Sequence, residues 1–248
     1  MRRFSWQALL GLSLVILSAM LYLLHYALFR DPHHIFLYLV GDIAFVPIEV
    51  LLVTLIIHRL LNGREKRAML EKLNMIIGVF FSEVGTRLLA FLSDFDPELD
   101  NIRKELIVTA DWSEQEFSRV SKRLRSYDYV VDIQDGSSLE DLHDFLVARR
   151  DFLLRLLENP NLLEHESFTE LLRTVFHLTE ELAAREDVCA LPSTDCDHLS
   201  NDINRVYSLL VHQWLDYMRY LKDDYPYLFS FTMRTNPFDQ EASPIVVG

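Results

Sequence analysis

Glycine, proline and cysteine are scarce in this chain of 248 residues, which has seven, eight and two of them. So few glycines and prolines exclude collagen-like, low-complexity and turn-rich all-β designs. Positive charge is also in deficit, because 24 Lys and Arg stand against 37 Asp and Glu and the formal net charge is −13. A surface this acidic repels phosphates, so we expect no nucleic acid among the partners.

The signatures of the common enzyme classes are missing as well. The glycines never fall in the G-x-G arrangement of a dinucleotide-binding loop, and no G-x-x-x-x-G-K-S/T phosphate loop occurs. The chain has neither a G-x-S-x-G nucleophile elbow nor an H-E-x-x-H zinc motif. We therefore predict a protein that is not an enzyme and has no cofactor.

The chain has instead two long apolar runs near its N-terminus. No formal charge occurs from Phe4 to Phe29, and a second apolar run extends from Ile35 to Ile57. About 20 apolar residues are enough to cross the hydrocarbon core of a membrane. The first run is longer than the apolar region of a signal peptide, which has roughly 7–15 residues. We predict a transmembrane hairpin in residues 1–60, with spans at about 6–28 and 35–58.

Basic residues predict the orientation of this hairpin. Only Arg30 lies between the two runs, whereas Arg2 and Arg3 precede the first and a basic group follows the second: Arg59, Arg64, Lys66, Arg67 and Lys72. The positive-inside rule then places both termini in the cytoplasm, with the protein in the cell (inner or plasma) membrane. Residues 1–59 have four basic and three acidic residues, net +1, so the remaining residues carry −14.

The second span contains two acidic residues, Asp42 and Glu49, with Pro47 between them. Seven residues apart, the two carboxyl groups share one face of the helix, and a carboxylate near mid-membrane costs at least ~2 kcal/mol unless it has a partner. One interpretation is packing within the hairpin, with Glu49 bonded to Ser13. The alternative is a cation-conducting homo-oligomer in which Asp42 and Glu49 line the pore.

The pattern in residues 61–95 predicts one long juxtamembrane helix, because apolar residues recur there every three to four positions and proline is absent. Gly78, Ser82 and Gly85 form a small-residue seam along it, where another helix can approach closely. The partner at this seam is either a second copy of the chain or a later helix of the same chain, and the sequence favours neither.

The rest of the chain predicts an all-α fold, with a helical bundle in residues 96–224 and an aromatic, proline-containing tail in 225–248. Helix-capping patterns at Ser113 and Ser138 predict helix starts, and the similar pattern at Ser167 lies near the start of another helix. Asp96-Pro97 is expected to open a helix that runs to about Val108. The stretch from Tyr127 to Gly136 is the only one with a strand-like composition. We expect the tail to pack onto the bundle, since it is too apolar to remain in water.

Three His and acid pairs have helical i, i+4 spacing, namely His177/Glu181, His198/Asp202 and His212/Asp216. His198 and His212 lie about 21 Å apart along one helix, so they cannot bind the same ion. Cys189, Cys196 and His198 are weak zinc candidates, since C-x6-C is not a standard zinc spacing. A basic face around Arg119, Lys122 and Arg123 is interpreted as a solvated helix surface, with anionic lipid as the alternative ligand.

These observations together predict a two-pass integral membrane protein with a cytoplasmic helical domain. The predicted role is that of a non-enzymatic oligomeric scaffold, sensor or interaction module, in which the helix of residues 61–95 transmits position between membrane and bundle. The expected partners are the lipid bilayer and further copies of the same chain.

Overall fold

The computed structural model describes residues 6–133 and 136–246, and these residues confirm that the protein is helical. The chain divides into two compact units, residues 1–66 and residues 67–248. The division falls within one helix, because α2 runs from Pro32 to Phe80.

The first unit contains α1, Trp6–Phe29, and the N-terminal part of α2. Arg30 makes the turn between them with a positive φ of 49°. The Asp31 carboxylate then caps α2 by accepting hydrogen bonds from the backbone amides of His33 and His34, at 3.0 and 3.2 Å. Pro32 suits the first turn of a helix, where its missing amide is not needed.

The apolar surface of this unit is almost entirely exposed. Every residue from Leu9 to Arg59 is exposed except His25 and Ile35, which are half-buried near the turn. By length and composition, the segments Leu9–Phe29 and Pro32–Arg59 are both able to span a membrane. Helices that are apolar on all sides require lipid or another protein around them.

The second unit is a bundle with a closed apolar core. Its longest helix, α8 (Ser193–Asp224), packs against α3 (Thr86–Asp94), α5 (Glu114–Arg125), α7 (Glu166–Ala183) and α9 (Pro226–Arg234). The α6 helix (Gly136–Leu157) packs against α7. Its core includes Leu88, Leu171 and Trp214, each with no exposed side-chain surface. The elements that follow α2 are a π-helical turn Phe81–Gly85, α3 Thr86–Asp94, α4 Asp100–Arg103, a 3-10 turn Lys104–Leu106, α5 Glu114–Arg125, α6 Gly136–Leu157, a 3-10 turn Pro160–Glu164, α7 Glu166–Ala183, α8 Ser193–Asp224 and α9 Pro226–Arg234.

A third segment, Met69–Asp94, is also long and apolar enough to span a membrane. In the structure 44% of its most apolar stretch is buried inside the bundle. Protein core therefore covers slightly less than half of this apolar stretch.

The predicted cap of α5 is confirmed. The Ser113 hydroxyl accepts a hydrogen bond from the amide of Glu116 at 3.3 Å and caps this helix. The α6 helix ends at Leu157, just before Asn159-Pro160, and α8 ends at Asp224. The tail packs onto the bundle as expected, with Phe238 1% exposed and in edge contact with Trp214 at 5.2 Å between ring centres.

Other predicted starts have mixed outcomes. The α6 helix begins at Gly136, ahead of Ser138. The α7 helix begins at Glu166, close to Ser167 as expected, and its cap is His165, whose Nδ1 accepts from the amide of Phe168 at 3.2 Å. Asp96 opens no long helix: its carboxylate accepts a local hydrogen bond from the Glu98 amide at 2.9 Å and another from the Tyr127 hydroxyl, but only the short α4 follows. No strand forms over the described residues 127–133, although the amide of Asp132 donates to the Phe95 carbonyl at 3.0 Å.

Candidate ligand-binding groove

A groove of about 550 Å³ opens on the surface of the second unit. One wall is the last two turns of α2 with the π-helical turn, and the other walls are α8 and α9. Sixteen residues line it: Asn74, Met75, Gly78, Val79, Phe81, Ser82, Thr86, Tyr217, Tyr220, Leu221, Tyr225, Tyr227, Leu228, Phe231, Thr232 and Thr235. None of these side chains carries a formal charge, in a chain whose net charge is −13.

Tyr217 forms the base of the groove because Gly78 leaves room for it. A Cβ atom at Gly78 would lie 3.2 Å from the Tyr217 hydroxyl oxygen, so glycine allows this tyrosine to rest against α2. The Tyr217 ring stacks on Phe81 with 4.9 Å between ring centres and 8° between planes. Burial raises the pKa of Tyr217, which keeps its hydroxyl protonated.

Gly85 positions the other side of the same turn. A Cβ atom there would lie 2.6 Å from Cδ1 of Phe81 and 2.9 Å from Cε1 of Phe80. Both rings are buried, so neither can swing out into solvent. Glycine at this position therefore lets the two rings fold back over the π-helical turn, and Phe81 reaches Tyr217.

The predicted seam thus has three different surroundings. Gly78 contacts Tyr217 of the same chain, Gly85 lies under Phe80 and Phe81, and Ser82 is exposed on the groove wall. Packing within the chain uses the two glycines. The use of this seam for self-association stays a prediction.

A cluster of tyrosines surrounds the polar end of the groove. The ring of Tyr225 lies 5.6 Å from that of Tyr220 and 6.3 Å from that of Tyr227. The Tyr220 hydroxyl oxygen is buried and makes no hydrogen bond of ordinary geometry within the part of the chain that the structure describes, although Tyr225 and Asn74 lie close enough to interact with it. Burial and the neighbouring Tyr225 raise the pKa of Tyr220, so the hydroxyl is a donor at neutral pH.

Asp42, Pro47 and Glu49 are all exposed on α2. Neither acidic side chain makes an ion pair or hydrogen bond with any residue of the described range 6–133. The predicted bond from Ser13 to Glu49 is absent, since the Ser13 hydroxyl donates to the Leu10 carbonyl at 2.7 Å. The two carboxyl groups thus lack a partner within this unit's described residues.

Two of the three His and acid pairs meet where α7 and α8 face each other. Nε2 of His198 lies 3.5 Å from Oδ2 of Asp202 and 3.6 Å from Oε2 of Glu181, and Nε2 of His177 lies 3.6 Å from the same Asp202 oxygen. His212 is elsewhere, with its ring 6.3 Å from that of Tyr129. The contacts are those of a polar network between two helices.

The zinc candidates are not brought together. Cys189 Sγ lies 3.6 Å from Oε2 of Glu140, whereas Cys196 Sγ contacts the Leu191 carbonyl at 4.0 Å. Among the residues with described positions, no group of three or more His, Cys, Asp and Glu side chains has the arrangement of a metal site. His198 belongs instead to the network of α7 and α8 described above.

Arg185 forms ion pairs at the edge of the polar network between α7 and α8. Its guanidinium makes two hydrogen bonds of 2.8 Å to the Asp195 carboxylate and one of 3.0 Å to Glu181. This bidentate geometry is the strongest form of a protein ion pair. The hydrogen bonds from Arg185 lower the pKa of both carboxyl groups.

Asp96 is a buried carboxylate surrounded by tyrosines, and no sequence pattern predicted this cluster. Asp96 is 6% exposed and accepts hydrogen bonds from the Tyr127 hydroxyl, at 3.1 Å, and from the Glu98 amide, at 2.9 Å. Burial raises the pKa of Asp96 and also those of the neighbouring Tyr129 and Tyr207. The cluster ties the segment after α5 to the turn after α3 and to α8.

These features define a class of protein: two exposed apolar helices followed by a helical bundle with an uncharged surface groove. The family model described as "MJ1433, N-terminal helical domain" matches residues 2–61, and the model described as "Uncharacterized protein MJ1433, C-terminal helical domain" matches residues 69–234. The chain is 47% identical over 237 residues to "Uncharacterized protein MJ1433" of Methanocaldococcus jannaschii, covering 96% of this chain and 95% of that relative. The chain belongs to the MJ1433 family. No solved structure matches it significantly.

Proposed function

We propose that this chain is a two-pass integral membrane protein whose domain of residues 67–248 is a non-enzymatic interaction module on the cytoplasmic side of the cell membrane. The observation that carries the proposal is the contrast between the two units. The bundle buries its own core, whereas α1 and the first part of α2 expose apolar side chains on every face. In water such a surface would aggregate, and in lipid it is satisfied.

The module acts as a scaffold or sensor that self-associates. Asp42 and Glu49 support self-association, because each is exposed on an apolar helix without a partner in the described part of its own chain. An acidic side chain within a membrane costs at least ~2 kcal/mol unless another protein surface or water receives it. A second copy of α2 supplies such a surface. The groove between α2, α8 and α9 supplies the binding site of the module.

Membrane association and self-association are tested on the full chain. We expect alkaline carbonate to leave the protein in the membrane fraction, because apolar helices are held by lipid. Light scattering in mild detergent should then give a protein mass of two or more chains, after subtraction of the bound detergent. Release by carbonate would contradict the membrane anchor, and a strictly monomeric mass would contradict the oligomer alone.

A cation-conducting homo-oligomer is the second candidate function, favoured by the unpartnered exposure of Asp42 and Glu49 on one helix. Cation flux into liposomes that contain the protein should fall when either carboxyl group is neutralised, in Asp42→Asn and Glu49→Gln. Equal flux through the wild type and both variants would remove this candidate and leave the scaffold proposal intact.

A further inference from the structure

The groove between α2, α8 and α9 is uncharged, although the residues beyond position 59 carry a net charge of −14. Removing a charge from water without a partner is costly, so an occupant of this groove must itself be uncharged where it contacts the walls. A basic peptide, the natural partner of an acidic surface, finds no carboxylate here. Charge complementarity therefore selects a neutral, apolar occupant.

The size of the groove points to a small molecule. Its volume of about 550 Å³ lies within the ~300–1,000 Å³ typical of sites for small ligands. Aromatic and aliphatic side chains form most of its walls, and Tyr227 and Phe231 remain 70% and 51% exposed at its mouth. An elongated hydrocarbon chain would cover these rings and fill the space between them.

One polar group is poised to receive the end of such a molecule. The Tyr220 hydroxyl oxygen is buried and makes no hydrogen bond of ordinary geometry within residues 6–133 and 136–246, although Tyr225 and Asn74 lie close enough to interact with it. These three polar side chains together form a polar patch that can bond an oxygen atom of a ligand in this groove. Asn74 and Tyr225 line the groove beside it. A hydroxyl or ester oxygen fits this set better than a carboxylate, because no cation lines the groove to pair with a negative charge.

The π-helical turn is a second sign of a functional wall. Turns of this kind are rare, are less stable than regular α-helix and occur often at functional sites. Here the turn Phe81–Gly85 supplies Phe81 and Ser82 to the groove, and Phe81 stacks on Tyr217. The turn thus places the Phe81 ring at the base of the groove, whereas a regular α-helix would point this side chain in another direction.

We propose that this groove binds the hydrocarbon chain of an uncharged long-chain lipid, with the oxygen at the polar end of the lipid bonded to Tyr220. The inference deepens the proposed function, because a protein anchored in a membrane has lipid at high local concentration. Binding a neutral lipid makes the bundle a sensor of membrane composition.

Photolabelling of the full chain in detergent micelles tests the proposal. The probe is a hexadecanol that carries a diazirine and a terminal alkyne, and hexadecyl phosphate with the same diazirine is its charged counterpart. The wild type should be labelled in the peptides that line the groove, residues 74–86 and 217–235. Unlabelled hexadecanol should suppress this labelling, and the charged probe should label these peptides about tenfold less.

Matched variants separate the groove from general hydrophobic labelling. Thr232→Trp and Ser82→Trp place a large side chain in the groove, whereas Ser230→Trp places the same side chain on an exposed position of α9 outside it. Groove labelling should fall about tenfold in the first two and persist in the third. Circular dichroism confirms that each variant is folded, and competition in the wild type requires no variant.

Three results would overturn the proposal. The first is labelling confined to the apolar segments of residues 9–59, and the second is groove labelling that unlabelled hexadecanol does not suppress. The third is equal labelling by the neutral and charged probes. Failure of the membrane anchor is seen separately, as release by carbonate, because labelling in micelles does not require a bilayer.

Discussion

Two glycines of the same seam should respond in opposite ways to the same substitution, although both lie in helices. Gly85→Ala would place a Cβ atom 2.6 and 2.9 Å from buried ring carbons of Phe81 and Phe80. Contacts below 3.0 Å force the rings to move, and overpacking a core costs ~1–3 kcal/mol. Alanine regains about 1 kcal/mol in helix propensity. Because two buried rings must move, we take the upper part of the overpacking range, ~2–3 kcal/mol, and expect a net loss of about 1–2 kcal/mol in the free energy of unfolding.

Gly78→Ala should be far milder. The nearest atom to its new Cβ, at 3.2 Å, is the hydroxyl oxygen at the far end of the half-buried Tyr217 side chain. A shift of a few tenths of an ångström relieves this contact, so the gain in helix propensity of about 1 kcal/mol is largely kept. We expect stability between that of the wild type and about 1 kcal/mol above it.

Urea unfolding of the full chain in detergent measures this difference. Fluorescence of the buried Trp214 reports on the bundle, and the midpoints of the two variants are compared with that of the wild type. A wild-type or higher midpoint for Gly85→Ala would refute the reasoning, because the Phe80 and Phe81 rings would then not be fixed as described. A large loss for Gly78→Ala would show that Tyr217 cannot move.

Three further perturbations have definite expected outcomes. Burial raises the folded-state pKa of Asp96 above its ordinary value of 3.8, so the carboxyl group destabilises the fold increasingly as it loses its proton at higher pH. Asp96→Asn should therefore gain stability relative to the wild type as pH rises from about 4 to about 7. A difference in urea midpoint that stays constant over this pH range would contradict this. Arg185 lowers the folded-state pKa values of Asp195 and Glu181, so their stabilisation is present above about pH 4.5 and is lost as pH falls below it. Arg185→Gln should therefore flatten the acid limb of the stability profile, whereas an unchanged limb would show that the ion pair contributes nothing. Phe238→Ala should cost ~3–5 kcal/mol, because the ring is 1% exposed against Trp214, and a loss below about 1 kcal/mol in urea unfolding would show that the tail is loosely held.

Local sequence patterns predicted much of the helical structure because they depend on neighbouring residues. Apolar residues at helical spacing indicated the helices, and the hydroxyl of Ser113 capped the one that it precedes. Asp96-Pro97 misled, although the Asp96 carboxylate does accept a local hydrogen bond from the Glu98 amide. The same carboxylate also binds the hydroxyl of Tyr127, 31 residues away, and local spacing gives no sign of that tertiary contact.

The groove could not be predicted, because its walls come from segments far apart in the chain. Nothing in residues 74–86 indicates that Tyr217 will lie against Gly78, and only the excess of aromatic residues in the tail hinted at a surface to be covered. The same limit applies to the network of α7 and α8. Pair spacing placed His177 beside Glu181, whereas the fold brings its ring nitrogen to within 3.6 Å of Asp202 on the next helix.

The membrane hairpin with both termini in the cytoplasm is the central claim, and the accessibility of cysteines tests it most directly. Cys189 is exposed in the bundle, and His33→Cys, made with Cys189→Ser and Cys196→Ser, places a cysteine in the connection between the two apolar helices. In intact cells, a maleimide that cannot cross membranes should label the His33→Cys protein and leave Cys189 of the wild type unlabelled. Inside-out vesicles should give the reverse pattern. Labelling of both positions from the same side would contradict the account.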